Sequence, residues 1–310
     1  MRDNDTATGR SVWPSLSFSD WKDTRDTLHM WTQIVGKTRL ALSPYMPHWW
    51  HVTLYVTPRG LSTSSMPYGA RILDAEFDFL DHRLVLRTDE GATRIIPLIP
   101  RSVADFYAEY RETLAALDIS LKIYPVPVEI PAAIPFPRDG THTSYDPDAA
   151  QRHWRILVHA DRLFKQFRGQ FIGKASPVHF FWGGFDLATT RFSGRRAPLH
   201  TGGIPNCPDY VMQDAYSHEV SSAGFWPGHD AFPTPAFYAY AYPAPSGFAD
   251  AAVRPHEAYY HPELGEFILP YDAVRTAADP DRMVLEFLED TYTAAARLGQ
   301  WDSLIVERPR

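Results

Sequence analysis

The feature that most limits how this chain can fold is an order of elements that occurs twice. WKDTRDTLHMWTQIVGK (21–37) has the apolar spacing of a helix, ending at Gly36. WHVTLYVTPRG (50–60) alternates as a strand, AEFDFLDHRLVLRT (75–88) reads as a hairpin about Asp81-His82, and SVADFYAEYRETLAALD (102–118) is an amphipathic helix. The order then returns. A helix is predicted over 146–174, strands over 176–195 and 237–245, a hairpin over 259–272 and a closing helix over 281–299.

Individual residues match as well. QIVGK (33–37) corresponds to QFIGK (170–174), and LVL (84–86) to FIL (267–269). Val103, Phe106 and Leu117 correspond to Val284, Phe287 and Leu298. The separation between matched segments grows along the chain, so the second copy carries an extra segment, placed at 195–236. These correspondences predict an α+β protein of two pseudo-repeated halves, each with mainly antiparallel strands flanked by helices. The expected layout is an N-terminal arm (1–19), a first half (20–121), a proline-rich connector (122–148) and a second half (149–310) with the insertion 195–236. The connector's prolines at 125, 127, 131, 135, 137 and 147 cannot donate ladder hydrogen bonds. Its retained apolar residues predict that it packs along the surface.

Composition narrows the function. With 310 residues, 45% of them hydrophobic, the chain can bury a substantial core. A net charge of -7 gives no basic field for nucleic acid. Cys207 is the sole cysteine, which excludes a disulfide framework and a Cys-based zinc site. No apolar run reaches the roughly 20 residues of a membrane helix, and MRDNDTATGR lacks a signal peptide's apolar core. A cytoplasmic protein with no nucleic-acid or membrane partner is expected.

Several long motifs are familiar together: WPSLSFSDWKDT (13–24), HMWTQIVGKTRLAL (29–42), HWWHVTLYVTPRGL (48–61), SPVHFFWGGFDLATTRFSGRRAP (176–198), YSHEVSSAGFWPG (216–228) and YYHPELGEFILPY (259–271). They resemble a bacterial family catalogued only as a domain of unknown function, family number 5996. The resemblance covers nearly the whole chain and brings with it no activity and no catalytic residue.

Site residues therefore rest on chemistry. Histidines recur at strand ends: His48, His51, His179, His218 beside Glu219, and His261 near Glu263 and Glu266. His51, His179 and His218 are candidate ligands of a divalent metal, although no pair has recognised metal spacing. His218 and Glu219 are adjacent, so on a regular strand they face opposite ways. His218 is the candidate general acid/base, supported by Glu219 and His261. Arg191, Arg195 and Arg196 could clamp an anion. Tyr240, from the stripe Tyr238, Tyr240 and Tyr242, and Trp226 and Trp182 supply apolar walls. There is no P-loop, GxGxxG, GxSxG or HExxH, so no nucleotide cofactor is implied. The expected function is an enzyme acting on a small anionic, aromatic-bodied molecule between the halves, by histidine or metal-assisted chemistry. A non-catalytic small-molecule binder and a protein–protein interaction module are the alternatives.

Overall fold

A computed structural model describes residues 12–302. Most of the expected N-terminal arm, residues 1–11, lies outside the described residues, as do residues 303–310. Two antiparallel sheets of six strands each, with helices packed on them, make up an α+β fold. Each sheet belongs to one of the two halves.

The chain opens with helix α1 (Phe18–Leu42). It does not stop at Gly36, because that glycine leaves room for the Trp182 indole against the helix backbone. From Leu28 to Arg39 every residue of α1 is buried, polar ones included, so its polar side chains must find partners inside the protein. The first sheet follows: β1 (Tyr55–Val56), β2 (Gly60–Ser62), β3 (Met66–Tyr68), β4 (Arg71–Asp78), β5 (Arg83–Thr88) and β6 (Thr93–Pro97). The expected strand over 50–60 is broken instead. Pro47–Trp49 forms a 3-10 turn in which His48 and Trp49 both take positive φ, which ends any extended run. The hairpin of β4 and β5 forms as predicted, with Leu73, Ala75 and Phe77 paired to Thr88, Leu86 and Leu84. Helix α2 (Val103–Ala115) closes the half, its N-terminus capped by Ser102 accepting from the Asp105 N–H.

The second half starts with α3 (Pro147–Arg168), capped by Asp146 with Pro147 in the first turn. Because α3 ends at Arg168, QFIGK lies beyond it, whereas QIVGK lies inside α1. That one correspondence is not structural. The second sheet contains β7 (His179–Phe181), β8 (Asp186–Arg196), β9 (His218–Trp226), β10 (Ala236–Tyr242), β11 (Tyr259–His261) and β12 (Glu266–Pro270), in the order β11-β12-β10-β9-β8-β7. The segment 195–236 is therefore not a loop alone. It carries a short helix α4 (Asp209–Ala215) and then β9, which lies inside the sheet between β8 and β10. Helices α5 (Tyr271–Thr276) and α6 (Pro280–Leu298) complete the half.

Alternation assigns the faces of the second sheet. Leu187, Phe225, Phe237 and Leu269 are fully buried in the main core that runs through both halves. Their alternates, Ala188, Tyr238 and Ile268, form a small separate cluster on the outer face, with Phe181, Trp226 and Tyr240 against it. The halves are joined where Leu54 and Phe180 exchange backbone hydrogen bonds at 2.9 and 2.8 Å, and where Trp182 Nε1 donates to Val52 O at 2.6 Å. Among the described residues no helix is long and apolar enough to cross a membrane.

Candidate functional site

The outer face of the second sheet carries the site, and its floor is built from small residues. Across the sheet Ala188, Gly224, Tyr238 and Ile268 are in register, and Thr190, Ser222 and Tyr240 make the next row. Thr190 and Ser222 hydroxyls meet at 2.9 Å, confirming the shared face. Gly224 decides the shape of this floor. A β-carbon there would overlap the Tyr238 phenol and the Leu187 carbonyl. With glycine in place, Tyr238 lies across β9 and its Oη donates to Asp186 Oδ2 on β8. Ser222 and Gly224 of YSHEVSSAGFWPG thus lie on this outer face, whereas Ser221 and Ala223 point to the main core.

Three carboxylates face this floor. Asp186 starts β8, Glu266 starts β12, and Glu129 comes from the proline-rich connector. Asp186 Oδ1 and Glu129 Oε2 lie 2.9 and 3.5 Å from where a β-carbon on Gly184 would sit, so the Gly183-Gly184 turn brings the two groups together. Glu129 is an exposed residue, but its carboxyl end turns in against the Gly183-Gly184 backbone. That enclosure, aided by the Asp186 charge, raises its carboxyl to about 7. Burial raises Asp186 to about 6, against the lowering effect of the Tyr238 hydroxyl. Burial, then the Asp186 charge, raises Glu266 to about 7. No basic side chain among the described residues contributes to any of these three shifts.

Tyrosines wall the basin. Tyr216, at the end of α4, meets the Tyr240 hydroxyl at 2.6 Å, and Tyr240 stacks on Tyr238 with ring centroids 6.1 Å apart. Burial raises all three phenols, with Tyr240 at about 12, so they stay protonated.

Helix α1 holds this arrangement from behind. Gln33 grips the Val128 backbone in both directions: Oε1 accepts from its N–H at 2.8 Å and Nε2 donates to its carbonyl at 2.9 Å. The next residue, Glu129, sits at φ 61, and its own N–H donates to Pro205 O at 2.8 Å. His29, four residues before Gln33, points Nε2 at the carbonyls of Trp182 and Gly183, 3.0 and 2.8 Å away. Burial lowers His29 to about 3, so it is the neutral tautomer with the proton on Nε2. One turn-spaced pair on α1 therefore fixes both the connector and the Gly183-Gly184 turn.

The residues expected from the sequence are distributed differently. Tyr240 lines the basin, and Trp226 stands at its end, stacked on Phe232. Trp182 is buried against α1 and does not face the basin. Arg191, 2% exposed, points into the main core. Its guanidinium stacks on the Phe167 and Tyr292 rings and donates to the Phe167 carbonyl. Arg195 and Glu219 bind one another at 2.6 Å, and Arg195 Nη1 also donates to Gln300 O. Arg196 stands beside His218. The three arginines therefore form no common clamp. His261 lies on edge strand β11, packed on Phe232 and accepting from the Leu264 N–H.

The three histidines considered as metal ligands do not converge. His179 is buried among Trp50, Tyr55 and Phe181, and burial lowers it to about 3. The Arg39 guanidinium adds to the lowering of both His179 and His51, a fixed positive charge that would oppose a metal ion between them. Among the described residues no group of three or more His, Cys, Asp or Glu is arranged to hold a metal.

Glu129 and Asp186 escaped the sequence reading. Nothing in their spacing links positions 129, 186, 238 and 266. The available signals were the tyrosine stripe of β10 and a Gly-Gly turn next to an aspartate. A hollow of about 450 Å³ along α6 is a different feature. It is lined by Arg254, Arg282, Glu286 and Asp290, whose charges pair with each other.

Fold and site together define a two-sheet α+β protein with an acidic, tyrosine-walled basin on one outer sheet face. A model of a family of unknown function (DUF5996) matches residues 13–308, and the chain belongs to that family. No curated protein and no solved structure matches it.

Proposed function

We propose that the basin is the active site of an enzyme that uses Glu129 and Asp186 as an acid–base pair on an uncharged, hydroxyl-rich small molecule. The observation that carries this reading is the pairing itself. Two carboxyls meet over one Gly-Gly turn, are raised to about 7 and about 6, and have no basic partner among the described residues. Near pH 6.5 Asp186 is largely ionised while much of Glu129 keeps its proton. A base and an acid then stand side by side, the division of labour that general acid–base hydrolysis of acetal-like bonds needs. An anionic substrate, expected when the arginines were read as a clamp, meets like charge here, whereas hydroxyl groups can both donate to and accept from carboxyls. Tyr238 and Tyr240 offer flat apolar faces for a ring.

Thermal shift with a panel of neutral saccharides, amines and organic anions tests the reading. Neutral hydroxyl-rich compounds should raise the wild-type Tm, and the Glu129→Gln protein should lose at least tenfold in affinity for them. A turned-over member of the panel should show a narrow bell-shaped pH profile between about 6 and 7. A response confined to anions, or one indifferent to Glu129→Gln, would overturn the assignment.

A further inference from the structure

A second cluster of ionisable groups lies on the same sheet, beyond the Tyr216 wall, and nothing in the basin chemistry uses it. It is built around a break in strand pairing. Between Phe192 and Arg196 the register of β8 on β9 shifts, with Gly194 at φ 90 inside the bulge. The bulge sends Arg195 to Glu219 and brings Arg196 opposite His218.

His48 supplies the other side. Its backbone N–H donates to Asp214 Oδ2 at 3.0 Å, and its ring lies 5.6 Å from that of His218. His48 Nδ1 faces the Ala215 carbonyl at 3.1 Å, so Nδ1 carries the proton and Nε2 the lone pair. That lone pair accepts from Lys174 Nζ at 2.7 Å. Lys174 is further held over the rings of Phe192 and Trp50, 5.1 and 5.5 Å away. The ammonium is therefore positioned, and among the described residues two of its three N–H groups are left over.

Neighbouring carboxylates are already engaged. Asp214 accepts from Tyr45 Oη at 2.9 Å as well as from His48, and Glu219 is bound to Arg195 and to Ser193 Oγ. Among the described residues neither Lys174 nor Arg196 forms an ion pair. His218 uses Nδ1 toward Ser217 Oγ at 3.1 Å, which leaves Nε2 as its other polar atom. A fixed ammonium, a guanidinium fork and an imidazole edge thus share one spot, where cationic groups outnumber the one nearby carboxylate, Asp214, whose oxygens are taken up by Tyr45 and His48. That donor set suits an oxyanion and repels a metal cation.

We propose that Lys174, Arg196 and His218 form a binding site for a phosphate-like oxyanion, distinct from the acidic basin. Two sources share this chemistry, free inorganic phosphate and the phosphate end of a monoester. The test follows the His218 and His48 ring signals by NMR at constant ionic strength while inorganic phosphate, or glycerol 2-phosphate, is added to the full-length protein. Saturable shifts of His218 are expected, with affinity reduced at least tenfold in Lys174→Met and in Arg196→Met. The exposed Arg196 variant keeps the test valid should Lys174→Met fold poorly. Tighter binding of the monoester assigns the site to an esterified ligand, and equal binding assigns it to the free ion. Non-saturating shifts, or unchanged affinity in Arg196→Met, overturn the proposal. Glu129→Gln should bind phosphate like the wild type; loss of binding there would refute a separate site, while a failed basin with intact phosphate binding would refute the acid–base reading alone.

Discussion

Glu129 is a glutamate in a backbone conformation that favours glycine, at φ 61. A side chain with a β-carbon in the left-handed region costs roughly 1–2 kcal/mol, and the structure tolerates it because Gln33 and Pro205 hold the flanking backbone. The acid proposed above thus sits at one of several non-glycine positions with positive φ. Removing the side chain while restoring freedom to the backbone should separate stability from function. Glu129→Gly is expected to be about 1 kcal/mol more stable than Glu129→Ala in urea denaturation, and both should lose the response to basin ligands. If the alanine protein equals or exceeds the glycine one, the backbone at 129 is not strained.

At the scale of elements, α1 shows where intrinsic propensity and packing disagree. In most helix interiors Gly→Ala stabilises by about 1 kcal/mol. At Gly36 a β-carbon would overlap the Trp182 indole, and Trp182 adjoins the turn that carries the acid pair. Gly36→Ala should therefore destabilise, by about 1–3 kcal/mol as overpacked sites do. Thermal unfolding of the two proteins decides the sign, and a rise in Tm would show that Trp182 can move aside. The same conflict explains how much was legible in the sequence. Elements with strong periodicity and ordinary caps were readable: α2 with Ser102, α6 with Asp279, and the hairpins of β4 with β5 and β11 with β12. Gly36 read as a helix end because a sequence does not reveal the indole resting on it. β9 read as part of an insertion because Ser221, Ser222, Ala223 and Gly224 lack the apolar alternation of a strand. Ser222 and Gly224 are small where Tyr238 lies across the strand, so the packing of one large ring erased the signal. The basin was hidden for another reason: its groups come from the connector and three strands, and only the sheet register brings them together.

The whole molecule contrasts two sheets with similar surroundings. On the outer face of the first, Arg87 pairs with Asp74 and Glu76 at 2.9 and 2.8 Å, and Arg59 with Asp78 at 2.8 Å. On the outer face of the second, Glu129, Asp186 and Glu266 have no such partners among the described residues. Among the described residues the two six-stranded sheets thus differ in charge pairing on their outer faces, one neutralised and one left charged.

That imbalance has a consequence for stability against pH, because two sets of groups pull in opposite directions. Glu129, Asp186 and Glu266 have folded values of about 7, 6 and 7, above their ordinary 4.5, 3.8 and 4.5. The folded state therefore binds more protons than the unfolded state in between, and these groups make stability fall as pH rises from about 4 to 7. His29, His153 and His179, each buried and lowered from 6.5 to about 3, do the reverse: the unfolded state takes up their protons, so stability rises with pH from about 3 to 6.5. Between pH 4.5 and 6 the two sets largely cancel, and below about 4 the histidines are joined by Asp26, Asp78 and Asp290, whose carboxyls lie below their ordinary value. The wild-type protein should thus show a shallow plateau of stability near pH 5–6 and a steep loss in stronger acid. A Glu129→Gln, Glu266→Gln protein removes two of the opposing groups. Its stability should climb visibly with pH across the former plateau, as chemical denaturation at several pH values would record. A plateau left unchanged by the double substitution would mean that the two glutamates titrate in the folded protein as they do in the unfolded chain, and the basin would lose its claim to a poised acid.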